Sequence, residues 1–344
     1  MTMRTASIYA DGHKKNSLFS ENDPTHTYAP TYTSRLLRQA FLDVGIELNT
    51  PDLNDGKDVL FELYVEGQVI QPTAAPKYLV AMENPNINLL NSDPAYCSQF
   101  KKVFSWNPAI ASLPNGILSM VPNEIRIDSF PHFDERPIFA CLINANKRFF
   151  HSDENDLYRE RLRLIRWYEK NDPSNFMLFG RGWDKPGPAF NLPERVLRAI
   201  KRLRTKFFAY RPFPSYRGEV LNKASIFRKT KFIYCYENSK NIPNYITEKI
   251  FDAMMSGSVP IYLGANNVTK YIPLNCFVDA RNFGSIEELH QHLLNIDPSQ
   301  YAEMQNNIKL FLYSDLVAPF SSEYFVASII REIAGSNHHF EMLK

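Results

Sequence analysis

The sequence predicts an α/β protein with parallel sheets, arranged in two halves. Apolar runs typical of strands alternate with helical patterns along the chain, as in folds that pair parallel strands through helices. The chain has 344 residues, enough for two domains of ordinary size. The sequence turns polar near residues 144–152, where we place the boundary. We therefore predict domains at 1–150 and 151–315, followed by a helical tail at 316–344.

The first half contains mostly short apolar runs, which we interpret as strands. Its one clear helix is at 34–44, where Leu36, Leu37, Ala40 and Phe41 share a face at a spacing of three to four residues. The run at 138–143 is the most apolar of the strand candidates. The predicted strands are at 6–9, 59–64, 78–82, 102–106, 117–121 and 138–143.

The second half alternates more regularly between helix and strand. Gly257 follows an apolar helical pattern and predicts its C-terminal end. Strands are predicted at 176–179, 232–236 and 259–263. Helices are predicted at 156–170, 194–204, 221–228, 287–295, 298–313 and 320–333, with a further one opening at 245–249.

Bulk composition excludes some classes of function. The formal net charge is only +2, so no global field argues for nucleic-acid binding. The four cysteines are widely spaced, without a C-x-x-C pair, and Cys141 and Cys235 lie inside apolar runs. This pattern fits a reducing compartment and predicts no metal site.

Targeting signals are not evident in the sequence. Residues 1–19 lack the apolar run of a signal peptide, and no segment approaches the roughly 18 apolar residues of a membrane-spanning helix. We expect a cytoplasmic protein, with a peripheral location at the inner face of a membrane as the alternative.

The segment 231–264 carries the strongest functional signal. Polar residues lie where a buried strand ends and a helix begins, which is where open α/β sheets bind ligands. Lys249 falls in the first helical turn, a position that the helix dipole disfavours unless an anion lies nearby. The alternative is a simple cap, with Thr247 closing the helix and the charges of Glu248 and Lys249 solvated.

The order of short motifs in this segment resembles the signature of the α1,3/4-fucosyltransferases, glycosyltransferase family 10. The matching pieces are E-N-S at 237–239, Y-I-T-E-K at 245–249 and V-P-I-Y-L-G at 259–264, followed by Y-I-P at 271–273 and C-F-V-D at 276–279. The resemblance implies a GT-B fold, with two Rossmann-like domains facing a central cleft. It also implies an inverting transfer of fucose from GDP-fucose to an oligosaccharide. Without a membrane anchor, the chain looks like the bacterial or viral type.

The resemblance assigns donor chemistry to the second half. Lys249 and an arginine would stabilise the diphosphate leaving group; in Y-R-E-R at 158–161 the favoured match is Arg161, with Arg159 as the alternative. Glu248 would lie near the sugar ring and favour positive charge at the anomeric carbon.

Three further residues are implied as donor contacts. Asn238 and Tyr245 match residues that contact the nucleotide, and Glu237 could accept hydrogen bonds from ribose hydroxyls. The alternative for Tyr245 is that it only packs the loop.

The general base is expected from the first half. Glu83 follows the predicted strand at 78–82 and precedes Asn84 and Pro85, like the family's G-E-N string, although Met82 stands where the family usually has glycine. The alternative is a solvated loop glutamate. No metal-binding D-x-D motif follows an apolar strand, so we expect no required cofactor, with a divalent metal at most stimulatory.

A basic amphipathic segment at 193–208 is not part of the signature. Its cations and its apolar residues fall on opposite sides at helical spacing, which suits contact with an anionic membrane and a lipid-linked or lipopolysaccharide acceptor. The alternative is a core-facing helix with a solvated basic face. Two other functions stay open for the whole chain: a transferase using a different GDP-sugar, or a catalytically silent glycan-binding relative.

Overall fold

The computed structural model describes residues 4–20, 30–127, 129–208 and 211–335, which form two compact units. The first unit comprises Met1–Ile125, Pro243–Glu248 and Asp315–Lys344, and the second comprises Arg126–Ile242 and Lys249–Ser314. Each unit is built on one parallel sheet with helices packed against it. The predicted α/β class with two parallel sheets is therefore confirmed.

The first unit contains a six-stranded sheet in the order β2-β1-β3-β4-β5-β6, and every neighbouring pair is parallel. Its strands are β1 Arg4–Ala10, β2 Ile46–Asn49, β3 Glu62–Val65, β4 Lys77–Ala81, β5 Lys102–Ser105 and β6 Gly116–Leu118. Its helices are α1 Pro30–Asp43, α2 Pro94–Cys97, α3 Pro108–Ala111 and, from the end of the chain, α10 Ser322–Ala334.

Alternating side chains of this sheet enter two apolar clusters, one on each face. In β3, for example, Leu63 enters the cluster that includes residues of α1 and α10, whereas Tyr64 enters the cluster that includes residues of α2 and α3. Burial on both faces explains why these strands read as continuous apolar runs in the sequence.

The second unit contains a five-stranded parallel sheet in the order β11-β10-β9-β7-β8. Its strands are β7 Ile138–Ile143, β8 Phe176–Phe179, β9 Thr230–Tyr236, β10 Val259–Leu263 and β11 Val278–Asp279. Its helices are α4 Leu157–Asn171, α5 Leu192–Phe208, α6 Lys223–Phe227, α7 Glu248–Met255, α8 Ile286–Leu294 and α9 Pro298–Leu312, of which α7 takes its first residue from the first unit.

In both sheets the first strand lies between the second and the third. The direction of strand addition reverses there, and ligands of open α/β sheets bind outside the carboxyl ends at this switch point. The switch point is between β1 and β3 in the first unit and between β7 and β9 in the second.

The structure corrects the predicted domain boundary at residue 150. The strand at 138–143 pairs with β8 and β9 and so belongs to the second sheet, and the described part of the predicted tail at 316–344 packs α10 on α1 in the first unit. The polar stretch at 144–152 is therefore a loop within a unit. Strand β2 was missed, because only two of its four residues are apolar. In the described part of the chain, no helix combines the length and apolarity needed to span a bilayer.

A buried arginine ties together the amino ends of the second sheet. Arg136 lies two residues before the start of β7, and its side chain is almost wholly buried. Its guanidinium donates to acceptors from three segments, so it supplies hydrogen bonds to buried polar groups that the strand pairing does not satisfy. The acceptors are the carbonyls of Pro131, Phe227, Thr230 and Ser256 and the hydroxyl of Ser258, at 2.9–3.1 Å.

Arg136→Leu is expected to destabilise the protein by about 3–5 kcal/mol, because it leaves several buried carbonyls without donors. Urea unfolding monitored by circular dichroism measures the loss. The matched control is Arg163→Leu on α4, whose side chain is 63% exposed and pairs with Glu160 at the surface; it should change stability by less than about 0.5 kcal/mol. Equal effects of the two substitutions would contradict the role given to Arg136.

Candidate active site

Polar side chains gather at the carboxyl ends of β7 and β9, the switch point of the second sheet. Asn144 follows β7, and Glu237 and Asn238 follow β9. The amino end of α4 joins them, because the backbone N–H of Leu157 donates to the carbonyl of Asn238 at 3.1 Å. This edge is where the sequence placed the donor site.

Arg161, the predicted phosphate ligand, is buried in α4 with 2% of its side chain exposed. Its Nη2 donates to the carbonyls of Tyr236 and Glu237 at 2.6 and 2.7 Å and to Oδ1 of Asn238 at 3.1 Å. The guanidinium also lies over the ring of Tyr158, 4.8 Å from its centroid. Arg161 therefore holds the end of β9 and brings positive charge there, while a direct contact with diphosphate stays a prediction.

Arg159, the alternative to Arg161, is exposed and lines a cavity of about 270 Å³ beside the first turn of α4. Trp183 forms part of the wall, and its indole N–H donates to the carbonyl of Asn144 at 2.7 Å, which puts the cavity at the end of β7. Glu194 pairs with one of the cations, Arg148, at 2.9 Å. The cationic lining suits an anionic ligand. Its cations are Lys147, Arg148, Arg159, Arg198 and Lys201.

Glu237 and Lys249 form an ion pair, with Lys249 Nζ 3.2 Å from a carboxylate oxygen of Glu237. Glu237 is fully buried, whereas Lys249 keeps 21% of its side chain exposed in the first turn of α7. Gly264 leaves the space for this carboxylate, because a Cβ there would lie 2.5 Å from Cγ of Glu237. In this arrangement Glu237 orients Lys249, and its predicted ribose contact stays a prediction.

Two further residues of the second-half prediction, Asn238 and Glu248, lie near this pair in sequence. Asn238 is half-buried, and its Oδ1 accepts a hydrogen bond from Arg161. Glu248 is the first residue of α7 and is partly exposed, where a carboxylate stabilises the helix dipole whether or not a sugar is bound. Their contacts with nucleotide and sugar stay predictions.

Tyr245 packs with the first unit. Its ring is 98% buried and lies 4.9 Å from that of Trp106, at an interplanar angle of 45°. Next to it, Asn244 adopts a left-handed conformation with φ 64° and donates to the carbonyl of Trp106 at 3.0 Å. This is the loop-packing alternative, and the predicted nucleotide contact of Tyr245 remains untested.

Glu83 lies just beyond the carboxyl end of β4, as predicted, and is half-buried. Its Oε1 accepts from the backbone N–H of Asn84 at 2.7 Å. The preceding carbonyl, that of Met82, accepts from the indole N–H of Trp106 at 2.7 Å. The backbone leading to the predicted base is thus held from the neighbouring strand end.

Sequence reasoning missed a second carboxylate beside Glu83. Glu66 follows β3, and its carboxylate accepts from the backbone N–H groups of Met82 and Glu83 and from the amide of Asn91. Burial raises the pKa of Glu66 to about 7, and the charge of Glu83 pushes it in the same direction. The signal was available, because Y-V-E-G at 64–67 is an acid directly after an apolar strand, the pattern that identified Glu83.

The predicted residues thus form two groups. Arg161, Glu237, Asn238 and Lys249 cluster at the switch point of the second sheet, whereas Glu83 lies in the first unit. Across the described ranges, His, Cys, Asp and Glu side chains form no group of three that could hold a metal ion.

The fold is similar to that of Anabaena Alr3699/HepE, solved in complex with UDP. The likeness covers 97% of this chain and 100% of that one, with a TM-score of 0.53 and 10% sequence identity. At this identity it concerns the fold alone. With its two parallel α/β units, the chain has the GT-B class of fold.

At the level of sequence, the chain is similar to members of one family of transferases. Residues 212–306 match Glycosyltransferase family 10 (fucosyltransferase) C-term. An alpha-(1,4)-fucosyltransferase of Arabidopsis thaliana is 44% identical over 75 residues, 21% of this chain and 18% of that protein. The 4-galactosyl-N-acetylglucosaminide 3-alpha-L-fucosyltransferase 9 of Mus musculus is 36% identical over 85 residues, 23% of each. The chain therefore spans about a fifth of the length of these curated relatives, and the predicted resemblance to family 10 is confirmed.

Lys249→Ala is expected to destabilise the protein by about 1–3 kcal/mol, because it leaves the buried carboxylate of Glu237 without its cation. The loss is moderate because Lys249 is partly exposed. The double substitution Glu237→Gln/Lys249→Ala should recover most of the stability, because the amide carries no charge. Urea unfolding of both single variants and the double variant measures this coupling. Additive losses in the double variant would show that the pair does not interact.

Proposed function

We propose that this chain is an inverting glycosyltransferase that moves fucose from GDP-fucose to a hydroxyl of an oligosaccharide. The observation that carries the proposal is the cationic edge of the second sheet. There, Lys249 of the family 10 signature is oriented by the buried Glu237, next to Arg161 and Asn238. A diphosphate-linked sugar is the ligand class that this edge of an α/β sheet and these charges suit.

The proposed reaction exchanges one bond at the anomeric carbon for another and transfers one proton. The acceptor oxygen attacks the anomeric carbon of fucose, on the face opposite the diphosphate. The bond from that carbon to the diphosphate oxygen breaks, and its electron pair leaves with GDP. The acceptor's proton passes to the carboxylate of Glu83, which acts as general base.

Charges on the second unit would stabilise the transition state. Lys249 and Arg161 offset the negative charge that develops on the leaving diphosphate, and the amino end of α7 adds to them. Glu248, the first residue of that helix, favours positive charge at the anomeric carbon. The reaction as proposed needs no cofactor, and a divalent metal would be at most stimulatory.

The acceptor is proposed to be a GlcNAc or Glc residue, joined through an α1,3 or α1,4 linkage. Support comes from the names of the two relatives above, a 1,4- and a 3-alpha-fucosyltransferase. A cytoplasmic enzyme would meet such acceptors on lipid-linked or lipopolysaccharide glycans under construction.

The test of this proposal is GDP release from GDP-fucose across an array of GlcNAc- and Glc-containing acceptors. Turnover is expected with GDP-fucose, and Glu83→Gln should lower kcat by about 10²–10⁴-fold, because the amide cannot take the proton. The control Glu303→Gln, an exposed position on α9, should leave kcat unchanged.

Three outcomes would refute parts of this assignment. Turnover of another GDP-sugar with none of GDP-fucose would establish the alternative donor. Unchanged kcat in Glu83→Gln would remove Glu83 as the base, and binding of glycan without turnover of any donor would favour a silent relative.

Helix α5 supports a peripheral contact with an anionic membrane. The alternative, a core-facing helix, is disfavoured, because the aliphatic side chains described on α5 up to Leu203 are at least half exposed. Arg195, Lys201 and Arg202 on the same helix are also exposed, so aliphatic and cationic groups are presented together, as on helices that lie in a bilayer interface. The side chains of residues 204–208, at the end of α5, lie outside the described part. The exposed aliphatic residues are Leu192 74%, Val196 54%, Leu197 52%, Ile200 50% and Leu203 55%.

Vesicle co-sedimentation tests this contact. The protein should bind vesicles containing phosphatidylglycerol, bind pure phosphatidylcholine at least about 10-fold less, and release at high salt. Val196→Gln/Ile200→Gln should abolish binding, because it removes the inserted apolar groups. The matched control is Leu294→Gln/Leu310→Gln, at positions 45% and 62% exposed on α8 and α9.

Other results would redirect the assignment. Equal binding to both lipids would exclude a role for the cations. A shift to a smaller species in gel filtration, seen only with the α5 variant, would identify the surface as an interface between copies of the chain.

A further inference from the structure

Glu66 lies at the switch point of the first sheet, next to the predicted base. Strands β3 and β4 are parallel neighbours, with Val65 opposite Val80. Glu66 adopts a left-handed conformation with φ 65°, and its N–H still donates to the carbonyl of Val80 at 2.8 Å. A non-glycine residue in this conformation costs free energy, which surrounding contacts must offset.

Those contacts all lead to the backbone that carries Glu83. The carboxylate of Glu66 accepts from the N–H of Met82 at 3.2 Å and from the N–H of Glu83 at 3.0 Å. The amide of Asn91 donates to the same carboxylate and, at 3.2 Å, to the carbonyl of Glu83. Glu66 and Asn91 therefore bind both backbone polar groups of Glu83, its N–H and its carbonyl.

Asn91 is itself held in place, which fixes the set of hydrogen bonds that Glu66 and Asn91 make to the Glu83 backbone. Its Oδ1 accepts from the N–H of Gly67 at 2.8 Å, and Asn91 is 98% buried. Gly67 permits this approach, because a Cβ there would lie 2.4 Å from Cβ of Leu90. These hydrogen bonds fix the position of the Glu83 Cα, from which its side chain extends.

The charges around Glu66 leave it poised to titrate near neutral pH. From the end of β4 it meets the carboxylate of Glu83 and two backbone N–H groups, and from the segment 88–91 it meets the neutral amide of Asn91. Burial raises its pKa to about 7, hydrogen bonds from Glu83, Asn91 and Met82 oppose the rise, and the charge of Glu83 adds to it. Two interacting carboxyl groups lose their protons in coupled steps.

We propose that Glu66 is a positioning residue for Glu83, fixing the backbone of the base and raising its basicity when ionised. The inference rests on the proposed function, because it requires Glu83 to be the general base. A negative charge on Glu66 makes the carboxylate of Glu83 hold a proton more tightly, and a stronger base takes the acceptor's proton more readily. Activity should therefore rise with pH as Glu66 loses its proton.

The test is the pH dependence of kcat and of the acceptor KM between about pH 5 and pH 9, for wild type, Glu66→Gln, Glu83→Gln and the double variant. Wild-type kcat should show an ionisation near pH 7. Glu66→Gln should lose it and fall by about 3- to 10-fold, with KM changed less than about twofold. The double variant should be no slower than Glu83→Gln, because Glu66 acts only through Glu83.

The opposite results would overturn the proposal. A pH profile of Glu66→Gln that superimposes on the wild-type profile removes the electrostatic role. A double variant slower than Glu83→Gln by the full factor of Glu66→Gln shows an independent role. If Glu83→Gln itself retains wild-type turnover, the proposed base fails as well, so the two failures are distinguishable.

A readout independent of turnover comes from folding stability. Folded Glu66 holds its proton up to about pH 7, whereas the unfolded chain releases it at the ordinary value of 4.5. Stability of wild type relative to Glu66→Gln should therefore fall as pH rises from about 4.5 to 7 and then level off. Glu47→Gln, at a half-buried position in β2, is the control. A flat difference between wild type and Glu66→Gln would show that Glu66 does not keep its proton, and the proposal fails.

Discussion

The hydrogen bonds from Arg161 to the carbonyls of Tyr236 and Glu237 are the contact on which the candidate donor site depends. A parallel strand that ends at a sheet edge leaves backbone groups that its neighbours no longer pair, and these need partners when they are buried. Arg161 supplies a charged donor. The same bonds set the course of the chain into Asn238 and bring the positive charge to the edge that the helix dipole of α7 also makes favourable for anions.

The first unit meets the same constraint with the opposite charge. There the groups left at the strand end are N–H donors, those of Met82 and Glu83, and the carboxylate of Glu66 accepts from both. A largely desolvated carboxylate next to another carboxylate is costly to ionise, so the group that fixes the backbone also becomes sensitive to pH. Glu66 therefore has two roles, because it both accepts hydrogen bonds from the backbone at the end of β4 and lies beside the carboxylate of Glu83.

The signature segment is continuous in sequence but divided in structure. Residues 243–248 group with the first unit, whereas the residues before and after them group with the second. The division follows from packing, because Tyr245 and Asn244 bury themselves against Trp106 at the end of β5. A substitution at Trp106 would thus disturb both the carbonyl of Met82, which precedes Glu83, and the loop that leads into α7.

Sequence alone determined the α/β class, most strands and helices, the family resemblance and the positions of Glu83 and Lys249 at element ends. These follow from local periodicity and from ordered short motifs, which need no knowledge of distant contacts. Periodicity cannot say which sheet a strand joins, so 138–143 was placed in the wrong half. It cannot say what a side chain meets across the fold, so the ion pair of Glu237 with Lys249 was not foreseen, and Glu66 was passed over despite the same strand-end pattern. Nor can it say whether an apolar face is covered, which for α5 only the exposure of its side chains decided. Those properties depend on residues far apart in the chain, and only the tertiary structure brings them together.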